Sequence, residues 1–184
     1  MKKIIILNGH STGKEQSYQQ YIKALVIALG EDGASVECIN LQEKDIRYCT
    51  GCWSCWWATP GRCIFKDDME EIYRKVMAAD QLLYISPMIA GYVSAEVKRA
   101  MDRMIPLLHP YIDVVQGECH HRKRYDHYPS LALIVQQEAD TDEEDMAIVK
   151  EFMTRLALNF RSRCDYVYTM ADGIEEVRNE ACYA

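Results

Sequence analysis

No run of apolar residues in this 184-residue chain approaches the about 20 needed to cross a bilayer, so no membrane partner is expected. Basic charge is also short. Lysine and arginine number 21 against 28 acids, and the net charge of −7 has the wrong sign for a general nucleic-acid surface. An export signal is lacking too, since Met1-Lys2-Lys3 leads straight into a short hydrophobic segment that reads as a strand; a cytoplasmic protein is expected. In that setting the eight cysteines are expected as reduced thiols or metal ligands, not as a disulfide framework. No repeat, linker or low-complexity stretch interrupts the chain, and 49% of it is hydrophobic, which suits one domain over 1–184 with a sizeable core. No Ser-His-Asp set or carboxylate pair stands at a spacing that suggests hydrolysis.

What is present alternates between two periods. Apolar β-branched runs at 4–7, 35–41, 81–86, 131–136 and 166–168 read as strands, the third ended by Pro87. Between them lie helical stripes. The first carries Tyr18, Ile22, Leu25, Val26 and Leu29, with Ser17 and Gln20 placed as a capping box and Gly30 at the stop. The second is capped by Asp67 with Glu70 and turns Met69, Ile72, Tyr73 and Val76 inward; the third is capped by Ser94 and carries Val97, Ala100, Met101 and Met104 until Pro106. A fourth opens at Thr141 with Glu144 and aligns Ile148, Phe152, Leu156 and Phe160, and a short last helix spans 174–182. Residues 107–129 show no periodicity and read as an insertion. The alternation predicts an α/β fold, a three-layer open parallel five-stranded sheet in the flavodoxin-like order 2-1-3-4-5. Ligands of such sheets bind at the carboxyl ends of the strands, so the loops at 9–17, 41–63, 86–93 and 137–141 are expected to form a single site.

The cysteine-rich loop at 48–66 sets Cys49, Cys52, Cys55 and Cys63 in a C-x2-C-x2-C-x7-C series. Such spacing brings several thiolates within reach of one iron-sulfur cluster or one metal ion, while reduced thiols lining a compact loop remain the alternative. Trp53, Trp56 and Trp57 beside them suit shielding or a subunit interface. The first strand-to-helix loop, Gly9-His10-Ser11-Thr12-Gly13-Lys14-Glu15-Gln16-Ser17, is small and hydroxyl-rich at a helix start, which favours a phosphate. It is neither a Walker A loop nor a G-x-G-x-x-G fingerprint. In Ser86-Pro87-Met88-Ile89-Ala90-Gly91, Pro87 stiffens the turn and Gly91 permits the close approach that a flat ring needs. Lys98, Asp102 and Arg103 read as solvated helix charges, as do Glu138, Asp140 and Asp142 to Asp145 in their loop. Metal is not expected at Cys119-His120-His121, and the basic triplet Arg122-Lys123-Arg124 reads as solvated surface, or as a contact for an acidic redox partner or an NADPH phosphate.

Together, the hydroxyl-rich loop, C-x-G-C-x-x-C with a later cysteine and Asp67-Asp68, Ser-Pro-Met-x-x-Gly and Lys-x-x-x-Asp-Arg resemble the NAD(P)H-dependent FMN reductase-like flavoproteins, and within them the iron-sulfur flavoprotein branch. The phosphate loop departs from that pattern, with Asn8-Gly9-His10-Ser11 where a Gly-Ser-Pro-Arg-like start is usual. The resemblance implies FMN, with its phosphate on His10, Ser11, Thr12, Gly13, Gln16 and Ser17 and its ring against Ser86, Pro87, Met88, Ile89 and Gly91. It implies NAD(P)H as donor, a small-molecule or protein redox partner, and a homodimer or homotetramer. It also implies a 4Fe-4S cluster on Cys49, Cys52, Cys55 and Cys63. A non-enzymatic electron carrier, and a zinc-binding structural or sensing protein on the same scaffold, are the alternatives.

Overall fold

The computed structural model describes residues 1–10 and 16–183. Its strands are β1 (Lys3–Asn8), β2 (Ser35–Asn40), β3 (Gln81–Ile89), β4 (Tyr92–Val93), β5 (Leu108–Val115), β6 (Glu118–Lys123), β7 (Ser130–Gln136) and β8 (Cys164–Thr169). Its α-helices are α1 (Gln16–Glu31), α2 (Ser54–Trp57), α3 (Met69–Met77), α4 (Ala95–Asp102), α5 (Glu143–Asn159) and α6 (Ile174–Tyr183). Five strands run parallel in the order β2-β1-β3-β7-β8, which is the expected 2-1-3-4-5 when only the parallel strands are counted.

β1 shows why the sheet needs helices on both faces. Ile4 to Leu7 are all fully buried, because alternate side chains leave a strand on opposite faces. Ile5 and Leu7 pack with α3, α4 and α5; Ile4 and Ile6 pack with α1 and α6. α3 and α4 bury the stripes that their spacing predicts.

Three expectations are corrected, and one segment gains structure. β3 does not end at Pro87: it continues to Ile89 and folds back antiparallel on β4, with Ala90 (φ 51°) and Gly91 (φ 72°) in the left-handed region that a two-residue hairpin turn requires. Pro87 is tolerated because it faces Gln136 at the last rung of the parallel pairing. Residues 107–129, which read as an insertion, are structured. They hold the hairpin β5–β6, turned at Gln116 (φ 52°) and Gly117 (φ 85°). Exposed, half-buried and buried residues are mixed along both strands and the register is broken between Leu108 and Ile112, so no apolar alternation marks it. In α5 the buried residues are Val149, Met153 and Ala157, one position beyond the expected Ile148, Phe152 and Leu156, while Phe160 at its end is buried as expected; the cap is Asp142, with Asp145 closing the capping box. Ile148 is exposed, while Phe152 and Leu156 border the hairpin with Ile112 and His121. Ser17 lies inside α1, not at a cap, and the helix runs one residue past Gly30.

Candidate functional site

At the carboxyl end of β1, Asn8 organises the turn. Its Oδ1 accepts from the His10 amide at 3.1 Å and from the Tyr18 hydroxyl at 2.8 Å, and its Nδ2 donates to Asn40 at 3.0 Å. His10 is thereby buried, stacked on Tyr18 with ring centroids 3.9 Å apart. Ser11, Thr12 and Gly13 lie outside the described residues. Gln16 and Ser17 are exposed in the first described turn of α1.

Gly9 joins this turn to α4. Its amide donates to Ile85 O at 2.8 Å, and its carbonyl accepts from the Ser94 hydroxyl at 2.9 Å. Ser94 also caps α4, and its own amide donates to the Ser86 hydroxyl at 2.8 Å. The strand end at 8–10 and the hairpin at 86–92 are therefore held side by side. Ser86 and Met88 are buried, whereas Ile89 and Ala90 are exposed and Pro87 and Gly91 half-buried at the rim. The loop at 137–141 joins them through Glu138, whose carboxylate accepts from the Ala90 amide at 3.1 Å. From the sequence Glu138 reads only as one solvated charge of an acidic loop, because one acid within an acidic run carries no signal of its own. Gly91 approaches α5 so closely that a Cβ would lie 2.5 Å from Asp145 Oδ1.

The cysteine loop does not share this edge. Cys49, Cys52, Cys55 and Cys63 line one cavity of about 300 Å³ together with Trp53, Phe65, Asp102, Arg103 and Pro106, at the far end of α4 from Ser94. α4 is 8 residues long, so about 12 Å of helix separates its ends. The expected single site is thus two sites along α4, because the loop after β2 runs beside this helix, with Arg99 over the Tyr48 ring at 5.5 Å.

Arg103, expected as a solvated charge, is instead 1% exposed and ion-paired through both terminal nitrogens with Asp67, whose side chain is also 1% exposed. Asp67 accepts from the Arg47 amide at 3.1 Å and the Met69 amide at 3.2 Å as well. Burial alone would raise the Asp67 carboxyl, but Arg103 and these amides hold it below its ordinary value. Asp68 receives the Asp45 amide at 2.8 Å, so the two aspartates close the loop at its base. Trp56 pins its middle, with Nε1 donating to the carbonyls of Ile105 at 3.2 Å and Leu108 at 3.1 Å. Lys98 and Asp102 stand at the surface, as expected, and pair with each other. Arg124 is not free surface: it donates to the carbonyls of Pro106 and Leu108, both at 3.1 Å.

All eight cysteines are free thiols, and Cys38, Cys119, Cys164 and Cys182 lie outside the cavity. Among the described residues no three His, Cys, Asp or Glu side chains close on one point as a single metal ion requires; the four sulfurs border a shared space instead. Their environments differ. Burial, then the proximity of Cys63, Cys49 and Cys52, pushes the Cys55 thiol up to about 11, whereas hydrogen bonds from the Ser54 backbone and hydroxyl lower Cys52. In metal-free protein at pH 8, iodoacetamide is expected to modify Cys52 well before Cys55, because the thiolate is the nucleophile and the two thiols are shifted in opposite directions. Peptide mapping over time checks this, and equal rates would contradict the local electrostatics.

An open parallel sheet with a loop cluster over its β1–β3 ends defines a flavodoxin-like α/β protein. The family described as NADPH-dependent FMN reductase matches residues 2–126, and the chain belongs to it. An iron-sulfur flavoprotein of Archaeoglobus fulgidus is 37% identical over 100 residues, covering 53% of this chain and 44% of that protein. One from Methanocaldococcus jannaschii is 35% identical over 105 residues, covering 57% and 53%. The chain spans about half the length of these relatives. An azoreductase from Bacillus anthracis superposes over 100% of both chains with a TM-score of 0.67 at 11% identity, a likeness of fold alone. Among the described residues no helix is long and apolar enough to cross a membrane.

Proposed function

We propose that this chain is a cytoplasmic, FMN-dependent NAD(P)H oxidoreductase in which a 4Fe-4S cluster on Cys49, Cys52, Cys55 and Cys63 exchanges electrons with the flavin and with a small-molecule or protein redox partner. The observation that carries the reading is the convergence of the four cysteines on one cavity in a chain of the FMN reductase family. A set of four thiols is the donor set that iron-sulfur clusters use, and the cavity brings no carboxylate but Asp102 to its wall. When bound, the flavin would accept electrons as a pair and the cluster would carry them singly, coupling two-electron donors to one-electron acceptors.

The chain's own residues divide the work. His10, Ser11, Thr12, Gly13, Gln16 and Ser17 would take the FMN phosphate. The β3–β4 hairpin would carry the ring: Pro87, Ile89 and Gly91 at its rim, Ser86 and Met88 through backbone from below. Glu138 holds the Ala90 amide, so a ring that uses this amide must displace a carboxylate. Trp53, Trp57 and Tyr111 expose a broad aromatic surface beside the cysteine loop, which suits association into a homodimer or homotetramer.

The test is a visible spectrum of anaerobically purified protein with iron, sulfide and FMN quantitation. Flavin bands over a broad iron-sulfur absorption are expected, with Cys52→Ser removing the broad absorption and sparing the flavin. A colourless protein that takes up neither FMN nor iron would sink the reading.

A further inference from the structure

Cys63 borders two cavities: the one it shares with the other three cysteines, and a larger one of about 540 Å³ that those three do not line. Three segments build the larger cavity. The cysteine loop supplies Arg62 and Cys63, α3 supplies Tyr73, Arg74 and Met77, and Tyr125 follows β6. Gly61 seats the loop against the last of these, since a Cβ there would lie 3.7 Å from the Tyr125 hydroxyl. Tyr73 donates its hydroxyl to the Arg103 carbonyl at 2.5 Å, so its ring is what remains for the cavity. Arg62 and Arg74 are exposed, and among the described residues neither guanidinium has a hydrogen-bond or ion-pair partner. The acids beside Arg74 are taken, Glu70 by Lys66 and Glu71 by Lys75. In a chain of net charge −7, two uncompensated guanidinium groups beside an apolar hollow are a local reversal of sign. A hollow of this size suits a small organic ligand, its body against apolar walls and its charge fixed by a few polar groups. Arginine's planar fork matches the oxygens of such a charge.

We propose that this cavity binds a flat organic anion, a quinone-like ring bearing a carboxylate, sulfonate or phosphate, and that this anion is the small-molecule electron acceptor. The ring lies against Tyr73, Met77 and Tyr125, and the anionic group meets Arg62 and Arg74. The acceptor role rests on the cluster reading above, because Cys63 is then both a cluster ligand and part of the acceptor's wall. Electrons drawn from reduced nicotinamide through the flavin would leave singly by this route. Two of them, with two protons from solvent, turn a quinone into its hydroquinone.

The probe is an anthraquinone monosulfonate, with hydroxymethyl-anthraquinone as the uncharged ring and inorganic phosphate as the anion without a ring. In titration calorimetry on the purified protein, the sulfonate should bind about tenfold more tightly than the uncharged ring, the sum of two solvent-exposed charge contacts. Arg62→Gln/Arg74→Gln should erase that difference and leave FMN content, iron content and melting temperature at wild-type values. Equal affinity for the two rings, or phosphate binding as tight as the sulfonate's, overturns the proposal. Wild-type protein labelled at the methionine methyls locates the ligand without a variant: the probe should shift the Met77 resonance and leave Met153, fully buried on α5, unmoved. An unmoved Met77 also overturns it. The acceptor role is read separately by anaerobic stopped flow, where the reduced double variant should be reoxidised about tenfold more slowly than wild type at a sulfonate concentration well below saturation; equal rates overturn that role. Protein that binds the sulfonate at Met77 but assembles no cluster would remove the cluster reading and the acceptor role with it, and leave the binding site standing.

Discussion

Asp67→Ala is expected to destabilise the protein by about 3–5 kcal/mol, because truncating one partner of a buried pair strands the other charge. For a domain of this size that corresponds to a melting temperature roughly 6–20 °C lower. The expectation rests on burial: Arg103 and Asp67 side chains are each 1% exposed, so solvent does not compensate Arg103 when the carboxylate is gone. The Arg47 carbonyl would remain as an acceptor, but it carries no full charge. The double variant Asp67→Ala/Arg103→Leu should recover part of the loss, since an apolar side chain carries no charge to strand. Denaturant midpoints for the three proteins decide the matter. A single-variant loss below about 1 kcal/mol would place the pair among screened surface bridges. The pair also has a signed pH dependence. With the folded carboxyl held below its ordinary value, its contribution is complete above about pH 4 and is lost as pH falls through the lowered value.

Gly9→Ala should be the most damaging change at the carboxyl edge. A Cβ there would lie 2.2 Å from Val97 Cγ2 and 2.7 Å from the Ser94 hydroxyl, distances that real side chains do not tolerate. Overpacking of this kind costs about 1–3 kcal/mol. Moving Ser94 away would also break its bond to the Gly9 carbonyl and disturb the α4 cap. FMN affinity is expected to fall at least about tenfold, the effect of a single lost interaction worth 1.4 kcal/mol. Gly30→Ala is the control: nothing lies within 4 Å of its added methyl, and within α1 it should stabilise by about 0.5–1 kcal/mol. Flavin fluorescence titration and thermal melts on both variants separate the outcomes; equal behaviour would mean that the 9–94 contact does not position the site.

Most of the fold was legible because its strands are buried on both faces. Ile4 to Leu7, Leu82 to Ile85 and Leu131 to Val135 are continuous apolar runs, and such runs mark central parallel strands. The hairpin at 108–123 was invisible for the opposite reason: it lies against the outside of the domain, and its sequence carries polar and apolar residues on both faces. The α5 stripe was misplaced by one residue because the helix serves two surfaces, the sheet and that hairpin. The cysteine series was visible from spacing alone. Its clamp was not, since Asp67 and Arg103 are 36 residues apart, and Asp67 reads as a helix cap and Arg103 as a surface charge. Nor did spacing reveal that the cysteines and the strand-end loops occupy opposite ends of α4, which depends on where a long loop runs after leaving the sheet.

The hairpin that the sequence concealed also bears on how the chain keeps out of trouble in concentrated solution. β5 and β6 pair with each other and with no other strand among the described residues, so the ribbon offers free main-chain groups of the kind that recruit a further strand. Val114, Ile112 and Tyr111 make that ribbon adhesive. Interleaved with them stand Asp113, Arg122 and Lys123, with Arg122 and Arg161 both paired to Asp113. These charges act as gatekeepers against runaway edge-to-edge stacking, and a variant that neutralises them would trade solubility for a tendency to form fibrous aggregates.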